Sequence, residues 1–331
     1  MKPSTLKKVL KPLLEARHPL MLVGAPGVGK SDIVSQVSRE LGADLIVSHP
    51  VISDPTDFKG FPFVVDGEAK FLPFSDLRRL VEAKRPTVFL MDDLGQAPAS
   101  VQAPAMQLLL ARRIGDHPVS DHVRFVACTN RREDKAGVQG VLEPVKSRFI
   151  SILNVDVDVD DWIAWAMTHD MPEELMAFIR WRPNMLFDFR PSKDMVNSPV
   201  PRTVASAGMV IRAGIPEETL YETIAGAAGE AFPAEFLGYM RVYEHLPDPD
   251  AVLADPAGAP VPDDPAIMYA LCIALASRVG GDNADNFVAY AERITPEFAI
   301  LMMKDALSRH EELAGTDAFR QWSVRHADIL L

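Results

Sequence analysis

The chain has 331 residues, of which 48% are hydrophobic and 24% are charged, so it can bury a large core and its size favours two domains. Its net charge of −12 disfavours a broad nucleic-acid interface, because neutralising phosphates requires clustered lysine and arginine. No apolar run approaches the roughly 20 residues of a membrane span, and no charged-then-apolar leader opens the sequence. We therefore expect a globular cytoplasmic protein, with no membrane partner and with nucleic acid disfavoured as one.

The sequence contains two cysteines, Cys128 and Cys272, and each stands within an apolar stretch. A disulfide framework requires more cysteines and an oxidising compartment. We therefore expect both cysteines to be ordinary buried thiols.

Short apolar or β-branched runs alternate with helical patterns up to about residue 155. In chain order these runs are "LMLV" at 20–23, "LIV" at 45–47, "TVFLM" at 87–91, "VRFVAC" at 123–128 and "FISILNV" at 149–155. Such alternation is typical of a parallel sheet with helices on both faces. The first half of the chain is therefore predicted to be an α/β domain around a parallel five-stranded core sheet.

The strand patterns stop after "DVDVDDWIAWAM", and amphipathic helical patterns continue from there to the end. A Pro-rich stretch at 246–265, "LPDPDAVLADPAGAPVPDDP", interrupts them and predicts a surface linker. We therefore expect three parts: an α/β nucleotide-binding domain at 1–158, a helical domain at 159–245, and the linker with a helical C-terminal extension at 246–331.

The stretch "GAPGVGKS" has the pattern of a phosphate-binding loop and stands between a predicted strand and a predicted helix. Glycines let the backbone N–H groups turn toward phosphates, Lys30 reaches the β and γ oxygens, and the Ser31 hydroxyl ligates Mg²⁺ at a helix N-terminus. The alternative is a glycine-rich turn that matches by chance, which the preceding strand disfavours. The candidate nucleotide-binding residues are Gly24, Ala25, Pro26, Gly27, Val28, Gly29, Lys30, Ser31 and Asp32.

Two adjacent carboxylates, Asp92 and Asp93, follow the apolar run "TVFLM". A phosphate loop needs an acid on a strand that lies beside the first, where it holds Mg²⁺ through its water shell, and we assign this role to Asp92. Asp93 is then placed to orient or deprotonate the water that attacks the γ-phosphorus. A second interpretation, compatible with the first, is that the two acids cap the helix predicted in "GQAPASVQAPAMQLLL".

The phosphate loop and acidic strand, with "RFVACTN" ending at Asn130, "PVKSRF" around Arg148 and "SPVPRT" around Arg202, together resemble an AAA+ ATPase of the MoxR-like branch. The resemblance covers roughly residues 4–225 and rests on the order and spacing of the motifs. It implies a P-loop NTPase (AAA+) fold in which the core sheet is followed by an all-helical lid and a helical C-terminal extension. It also implies that ATP and Mg²⁺ are the cofactors and that ATP is hydrolysed.

The resemblance assigns roles to three further residues. Asn130 matches the polar sensor that helps to position the attacking water, Arg148 matches the arginine finger that reaches the γ-phosphate of a neighbouring subunit, and Arg202 matches the second sensor in the lid. The alternatives are a strand-end turn for Asn130 and surface arginines for the other two. A finger supplied in trans implies a ring, a hexamer by family analogy, because such a group can be worth about 10³ to 10⁵ in rate.

Two inserted segments complete the resemblance. The first, at 53–80, contains two apolar runs around Asp66-Gly67, which predict a hairpin, and it is similar to the insert that MoxR-like proteins project toward the ring pore. The second, "RRIGDHPVSDHVRF", matches the insert that precedes the polar sensor, Asn130, in the family. The pore-loop candidates are Phe61, Phe63, Lys70 and Phe71, and the alternative is a hairpin that only packs against the domain.

The sequence departs from the family at position 93, where most relatives have glutamate. Asp93 holds its carboxylate about one methylene further from the water, and a misplacement near 1 Å can cost on the order of 10²-fold in rate, so turnover is expected to be slow. The leading hypothesis is a ring ATPase that remodels a protein partner, such as one with a von Willebrand factor A domain. The alternatives are a nucleotide-gated assembly scaffold with slow hydrolysis and, disfavoured by the charge, a nucleic-acid translocase.

Overall fold

A computed structural model describes residues 1–134 and 137–326 of the chain. The chain divides into two compact units, one formed by residues 1–158 with 189–193 and the other by residues 159–188 with 194–331. The three-part division at residues 158 and 245 stays a prediction.

The first unit is built on a five-stranded sheet in which every neighbouring pair is parallel. Its strand order is β2-β5-β8-β1-β9. Two short hairpins, β3–β4 and β6–β7, form separate two-stranded sheets. The five strands of the sheet lie within one or two residues of the runs predicted for them. In chain order the strands are β1 Leu20–Val23, β2 Asp44–Ser48, β3 Phe61–Val65, β4 Glu68–Leu72, β5 Thr87–Met91, β6 Arg113–Ile114, β7 His117–Pro118, β8 Val123–Thr129 and β9 Ser151–Asn154.

The strand order corrects one expectation about the acidic strand. β5, which ends before Asp92, does not lie beside β1, because β8 lies between them and pairs with both. Two strand spacings, about 10 Å, therefore separate the end of β1 from the end of β5. The order along the sheet turns at β1, which has β8 on one side and β9 on the other, and such a switch point is where open α/β sheets bind ligands at their carboxyl edge.

The helices of the first unit cover the sheet because their apolar residues face it. In α2, for example, Ile33, Val34 and Val37 are buried. On the sheet, Phe89 and Phe125 meet edge to face, with ring centroids 6.1 Å apart. The helices of this unit are α1 Pro3–Glu15, α2 Lys30–Glu40, α3 Thr56–Lys59, α4 Ser75–Glu82, α5 Ala99–Ala111 and α6 Glu143–Lys146.

The hairpin predicted around Asp66-Gly67 is confirmed. β3 and β4 pair antiparallel from Phe61 opposite Leu72 to Val65 opposite Glu68. Asp66 and Gly67 have φ values of 54° and 80°, the left-handed conformations that a tight two-residue hairpin turn requires. Three aromatic side chains of the hairpin are 41% to 51% exposed: Phe61, Phe63 and Phe71.

The described residues of the second unit contain helices and no strand, so this C-terminal region is helical as expected. A buried ion pair between Arg180 and Asp305 joins two of its helices, α8 and α15. None of the helices in the described ranges has the length and apolarity to cross a membrane. The helices are α7 Val159–Met167, α8 Glu173–Trp181, α9 Pro201–Arg212, α10 Glu217–Ala228, α11 Ala231–Tyr243, α12 Pro249–Ala254, α13 Pro265–Arg278, α14 Ala284–Ala291, α15 Pro296–Arg309 and α16 Asp317–Arg325.

The expectation that residues 246–265 form a surface linker is wrong for their central part. This segment contains α12, whose Val252 and Leu253 are buried in the hydrophobic core of the second unit. The prolines permit the helix because Pro249 stands in its first turn, where the missing N–H is not needed. The proline content of the segment indicates turns, but it does not indicate that two apolar residues of the segment are buried in the core.

Candidate functional site

Residues 24–29 form a loop between the end of β1 and the start of α2, as the phosphate-loop pattern predicts. Gly27 and Gly29 have φ values of 76° and 90°, which lie in the left-handed region that favours glycine. Gly24 packs so closely that a Cβ there would lie 3.0 Å from the carbonyl oxygen of Val155. The glycines thus allow the tight curl and close approach that the loop needs.

Lys30, the first residue of α2, directs its side chain back into this loop. Its Nζ donates to the carbonyl oxygens of Gly24 and Ala25, each at 2.9 Å, and to Asn130 Oδ1 at 2.7 Å. The residue is 7% exposed, so its ammonium is held by oxygen atoms at the carboxyl edge of the sheet. A buried ammonium with oxygen acceptors is placed to bind an anion that enters the loop.

Asn130 follows the last residue of β8 and is 8% exposed. Its Oδ1 accepts from Lys30, and its Nδ2 donates to Asp93 Oδ1 at 3.2 Å. Asn130 therefore connects the phosphate-loop lysine to the second acid. This connection exists because β8 lies between β1 and β5, the feature of the sheet that the sequence did not reveal.

Ser31 and Asp92 also meet, although their strands are not neighbours. Ser31 Oγ donates to Asp92 Oδ2 at 2.7 Å. The contact forms because Ser31 lies at the start of α2, which crosses from the end of β1 toward β5. A hydroxyl and a carboxylate side by side are oxygen ligands of the kind that Mg²⁺ prefers, so the predicted metal pair is brought together.

Asp93 adopts a left-handed backbone conformation, with φ 57° and ψ 35°. Aspartate tolerates this region better than most residues. The alternative that the two acids cap the following helix is wrong, because α5 begins at Ala99 and the residue at its N-cap position is Pro98. The turn instead presents the Asp93 carboxylate to Asn130.

Cys128, on β8, lies close to this cluster and is completely buried. Burial raises the pKa of its thiol, and the negative charge of Asp92 raises it further. The thiol therefore stays protonated at neutral pH and packs as a small apolar group. Both Cys128 and Cys272 are free and buried, as expected.

Among the remaining loop candidates, Ala25 and Val28 are 2% and 6% exposed, so they contribute backbone and packing rather than side-chain chemistry. The side chain of Asp32 is exposed on α2 and accepts a hydrogen bond from Gln36 Nε2 at 2.5 Å. The structure thus engages its carboxylate outside the cluster of Lys30, Asn130 and Asp93. A nucleotide-binding role for Pro26 or Asp32 stays a prediction.

Arg148 lies just after α6 and before β9. Its Nη1 donates to Ser147 Oγ at 2.8 Å, and its Nε is buried with no hydrogen-bond partner among residues 1–134 and 137–326. Because a buried guanidinium N–H without an acceptor is costly, this arginine is suited to gain an acceptor beyond those that the described residues supply.

Arg202 belongs to the second unit, where it is exposed in the first turn of α9. Pro201 begins that helix, as expected for proline at the first helical position. The role of Arg202 as a second sensor stays a prediction.

The residues at the carboxyl edge fit ATP and Mg²⁺. Apart from its two chain neighbours, none of the described residues comes within 4 Å of where a Cβ on Gly29 would stand, so the loop is open on this side. Lys30 offers positive charge, and the Ser31–Asp92 pair offers oxygen ligands. Within the described ranges, no group of three or more His, Cys, Asp or Glu side chains could hold a metal. One carboxylate with water and phosphate ligands is the common arrangement for Mg²⁺, so this pair suffices.

The sequence did not single out Gln102 of α5, which lies near the turn at 92–94 that carries Asp92 and Asp93, here called the acidic turn. Gln102 is 1% exposed, and both its amide nitrogen and its amide oxygen form hydrogen bonds. The signal was a polar residue inside the apolar run "VQAPAMQLLL". Gln107 stands in the same run and is exposed, so the sequence alone does not distinguish the two glutamines.

Residues 20–157 match the model of the ATPase family associated with various cellular activities (AAA). Midasin from Giardia intestinalis is 28% identical over 192 residues, a match that covers 54% of this chain and 4% of midasin. The uncharacterized protein ycf45 of Cyanidium caldarium is 21% identical over 123 residues, which cover 34% of this chain and 37% of that protein. The chain thus spans well under half the length of these relatives.

Among solved structures, a mutant of RuvB from Thermotoga maritima is 18% identical and has a TM-score of 0.45, with 89% of this chain and 90% of that chain covered. The family match spans β1, the phosphate loop, the acidic turn, Asn130 and Arg148. Residues 20–157 therefore match an AAA-family ATPase domain, and this part of the chain has the P-loop NTPase fold.

Proposed function

We propose that the chain binds and hydrolyses Mg-ATP within a ring oligomer, as a MoxR-like AAA+ ATPase that remodels or activates a protein partner. The observation that carries this proposal is the continuous series of hydrogen bonds from Lys30 through Asn130 to Asp93. The Ser31–Asp92 pair belongs to the same edge of the sheet. A cation, a metal pair and a candidate base are the groups that transfer of a phosphoryl group to water requires.

The proposed chemistry divides among these residues. Bound Mg²⁺ supplies positive charge that neutralises phosphate oxygens, and Ser31 and Asp92 hold it. Lys30 exchanges the carbonyl oxygens of the loop for phosphate oxygens, which are stronger acceptors because they carry charge. Asp93 orients the attacking water and accepts its proton, while the amide of Asn130 fixes the orientation of that carboxylate.

Ring assembly follows from the proposed role of Arg148. A finger that completes the site of the neighbouring subunit makes each site depend on two chains, and a closed ring supplies every site with a finger. The Nε of Arg148, buried and without a partner among the described residues, supports this role, because a phosphate oxygen from the next subunit would satisfy the guanidinium. A hexamer is the ring size that the family resemblance suggests.

The exposed hairpin supports a protein as the partner. Phe61 and Phe63 are 48% and 51% exposed, with ring centroids 5.4 Å apart, and Lys59 lies over the ring of Phe71. Exposed aromatic side chains beside a cation suit an extended polypeptide better than a phosphate backbone in a chain of net charge −12. We propose that Phe61, Phe63, Lys70 and Phe71 engage a protein partner in the cytoplasm, such as one with a von Willebrand factor A domain.

Phe63→Ser tests the hairpin. Reduced, carboxymethylated α-lactalbumin, a permanently unfolded protein, is expected to stimulate steady-state ATP hydrolysis. In the variant the probe concentration that gives half of the stimulation should rise about 30-fold, because truncating an aromatic anchor costs about 2 kcal/mol. Tyr221→Ser, which removes a 45% exposed aromatic side chain on α10, is the control and should behave like the parent protein. Equal stimulation of both variants, or stimulation by single-stranded DNA instead, contradicts the proposed partner class.

The second candidate function is a nucleotide-gated assembly scaffold in which ATP closes the ring and hydrolysis only resets it. The observation that favours it is Asp93, whose side chain is one methylene shorter than the glutamate usual in the family. The left-handed φ of 57° at this position suits aspartate, so the shorter acid is matched to its backbone. Turnover decides between the two functions, since a remodelling ATPase must cycle.

Asp93→Glu is expected to hydrolyse ATP at least as fast as the parent protein, because the longer side chain brings the carboxylate closer to the water. Asp93→Asn is the matched control, since asparagine also tolerates the left-handed backbone and can still accept from Asn130. We expect it to lower kcat by about 10² to 10⁴-fold, as loss of a general base does, with little change in ATP affinity. Steady-state phosphate release measures both. Full activity in Asp93→Asn would refute the assigned base, and a slower Asp93→Glu would refute the argument from side-chain reach.

A further inference from the structure

The turn that carries Asp93 is joined directly to the chain that leads to Arg148. The Gly95 carbonyl oxygen accepts from the backbone N–H groups of Gln139 and Gly140, at 3.0 Å and 3.1 Å. Gly95 itself leaves no space for a larger residue, since a Cβ there would lie 2.2 Å from Thr129 Oγ1. The acidic turn, the end of β8 and the loop 137–142 are therefore closely packed against one another.

Gln102 of α5 also connects the chain near the acidic turn to the loop 137–142. Its Nε2 donates to the carbonyl oxygens of Ala97 and Gly140, each at 2.9 Å, and its Oε1 accepts from the N–H of Leu142, also at 2.9 Å. The residue is 1% exposed, so water does not substitute for these bonds. A carboxamide is the side chain that can both donate twice and accept at this spot, whereas a carboxylate would oppose two carbonyl oxygens.

The bond to Leu142 sets the start of α6. The Leu142 carbonyl oxygen accepts from Val145 and Lys146, at 2.9 Å and 3.0 Å, which forms the first turn of that helix. The N–H of Arg148 then donates to the Val145 carbonyl oxygen at 3.1 Å. Val145 is completely buried, so the short helix cannot shift without losing core packing. The position of Arg148 thus follows from Leu142, and that of Leu142 from Gln102.

We propose that Gln102 is a positioning residue that fixes α6 so that Arg148 of one subunit is presented to the ATP site of the next. This inference rests on the proposed function, in which Arg148 acts in trans. Because the same amide holds Ala97, three residues beyond the acidic turn at 92–94, it ties the presentation of the finger to the part of the chain that carries the base.

Gln102→Met tests the proposal, since methionine keeps the length of the side chain and removes its hydrogen bonds. We expect kcat to fall by about 10²-fold, the cost of a displacement near 1 Å, with the ATP affinity of the subunit unchanged. Gln107→Met makes the same substitution on the exposed side of α5 and should be silent. Leu142→Pro is a second variant: Leu142 has φ −56°, which proline adopts, so the substitution removes the N–H that donates to Gln102 at a compatible φ.

Mixed rings distinguish a defect of the finger from a defect of the subunit's own site. A Gln102→Met subunit keeps its own ATP site, and a Lys30→Ala subunit keeps an intact Arg148. A mixture of the two should therefore hydrolyse ATP faster than the summed rates of the two variants measured separately. Leu142→Pro should behave in the same way. The mixture of Asp93→Asn with Lys30→Ala is the negative control, because both variants lack a working site of their own.

The mixture of Arg148→Ala with Lys30→Ala separates the inference from the proposed function. If this mixture is active and the Gln102→Met and Leu142→Pro mixtures are not, Gln102 acts within its own site and the inference is overturned while the finger stands. If the Arg148→Ala mixture is also inactive, the arrangement in trans fails and takes the inference with it. Restored hydrolysis in all three mixtures supports both.

Discussion

Replacing Lys30 with alanine is expected to weaken ATP binding by about 10² to 10⁴-fold, since two charge-assisted hydrogen bonds to phosphate oxygens contribute roughly 1.5 to 3 kcal/mol each. The structure shows that this ammonium also holds Gly24, Ala25 and Asn130 together. The substitution therefore also removes the buried cation that donates to Asn130, the residue that bonds to Asp93. Isothermal titration with ATP and Mg²⁺ measures the loss.

Lys8→Ala is the control for this substitution, because Lys8 is an exposed lysine on α1 and its removal should leave ATP affinity unchanged. A thermal melt distinguishes lost binding from lost folding. If Lys30→Ala melts like the parent protein and still binds ATP with similar affinity, the phosphate-loop assignment is wrong.

Replacing Arg148 with alanine is expected to preserve ATP binding and to lower kcat by about 10³ to 10⁵-fold, the contribution of an arginine finger to phosphoryl transfer. The protein should fold normally, because the guanidinium bonds to the neighbouring Ser147 and its Nε has no hydrogen-bond partner in the part of the chain that the structure describes. Steady-state phosphate release and ATP titration on the same sample separate the two quantities.

Arg78→Ala serves as the matched control for Arg148→Ala. Arg78 forms an exposed ion pair with Glu82 on α4, and such pairs contribute at most about 1 kcal/mol to stability. Its loss should change neither binding nor hydrolysis. An Arg148→Ala protein that hydrolyses ATP at the parent rate would contradict the finger assignment.

The core sheet and the phosphate loop were predictable from the sequence because their signals are local. Four of the five residues of β5 are apolar, as expected for a strand buried on both faces, and all five, Thr87 included, are buried. The spacing of glycines, Lys30 and Ser31 follows from the geometry of phosphate binding. Local pattern and structure agree wherever a single segment determines both.

Strand order was not predictable in the same way, because it depends on contacts between distant segments. Nothing in the runs 20–23 and 87–91 says that 123–129 lies between them, and the position of Asn130 between Lys30 and Asp93 follows from that order alone. The same holds for Gln102, whose partners Gly140 and Leu142 lie about 40 positions further along the chain.

In the helical second half, a local signal gave a wrong prediction. Proline composition indicated a linker at 246–265, but Val252 and Leu253 anchor its central helix in the core. Two apolar residues outweigh the proline content because each buried side chain contributes about 1.5 to 3 kcal/mol and Pro249, the proline within α12, stands in its first turn.

The central claim is that the carboxyl edge around β1 binds a nucleoside triphosphate with magnesium. Its most direct measurement is a calorimetric titration of the parent protein with ATP, once with Mg²⁺ and once with a chelator in its place. We predict saturable binding of one ATP per chain that is clearly tighter with Mg²⁺. Absence of binding in both titrations, or identical affinity with and without the ion, would contradict the assignments of Lys30 and of the Ser31–Asp92 pair respectively.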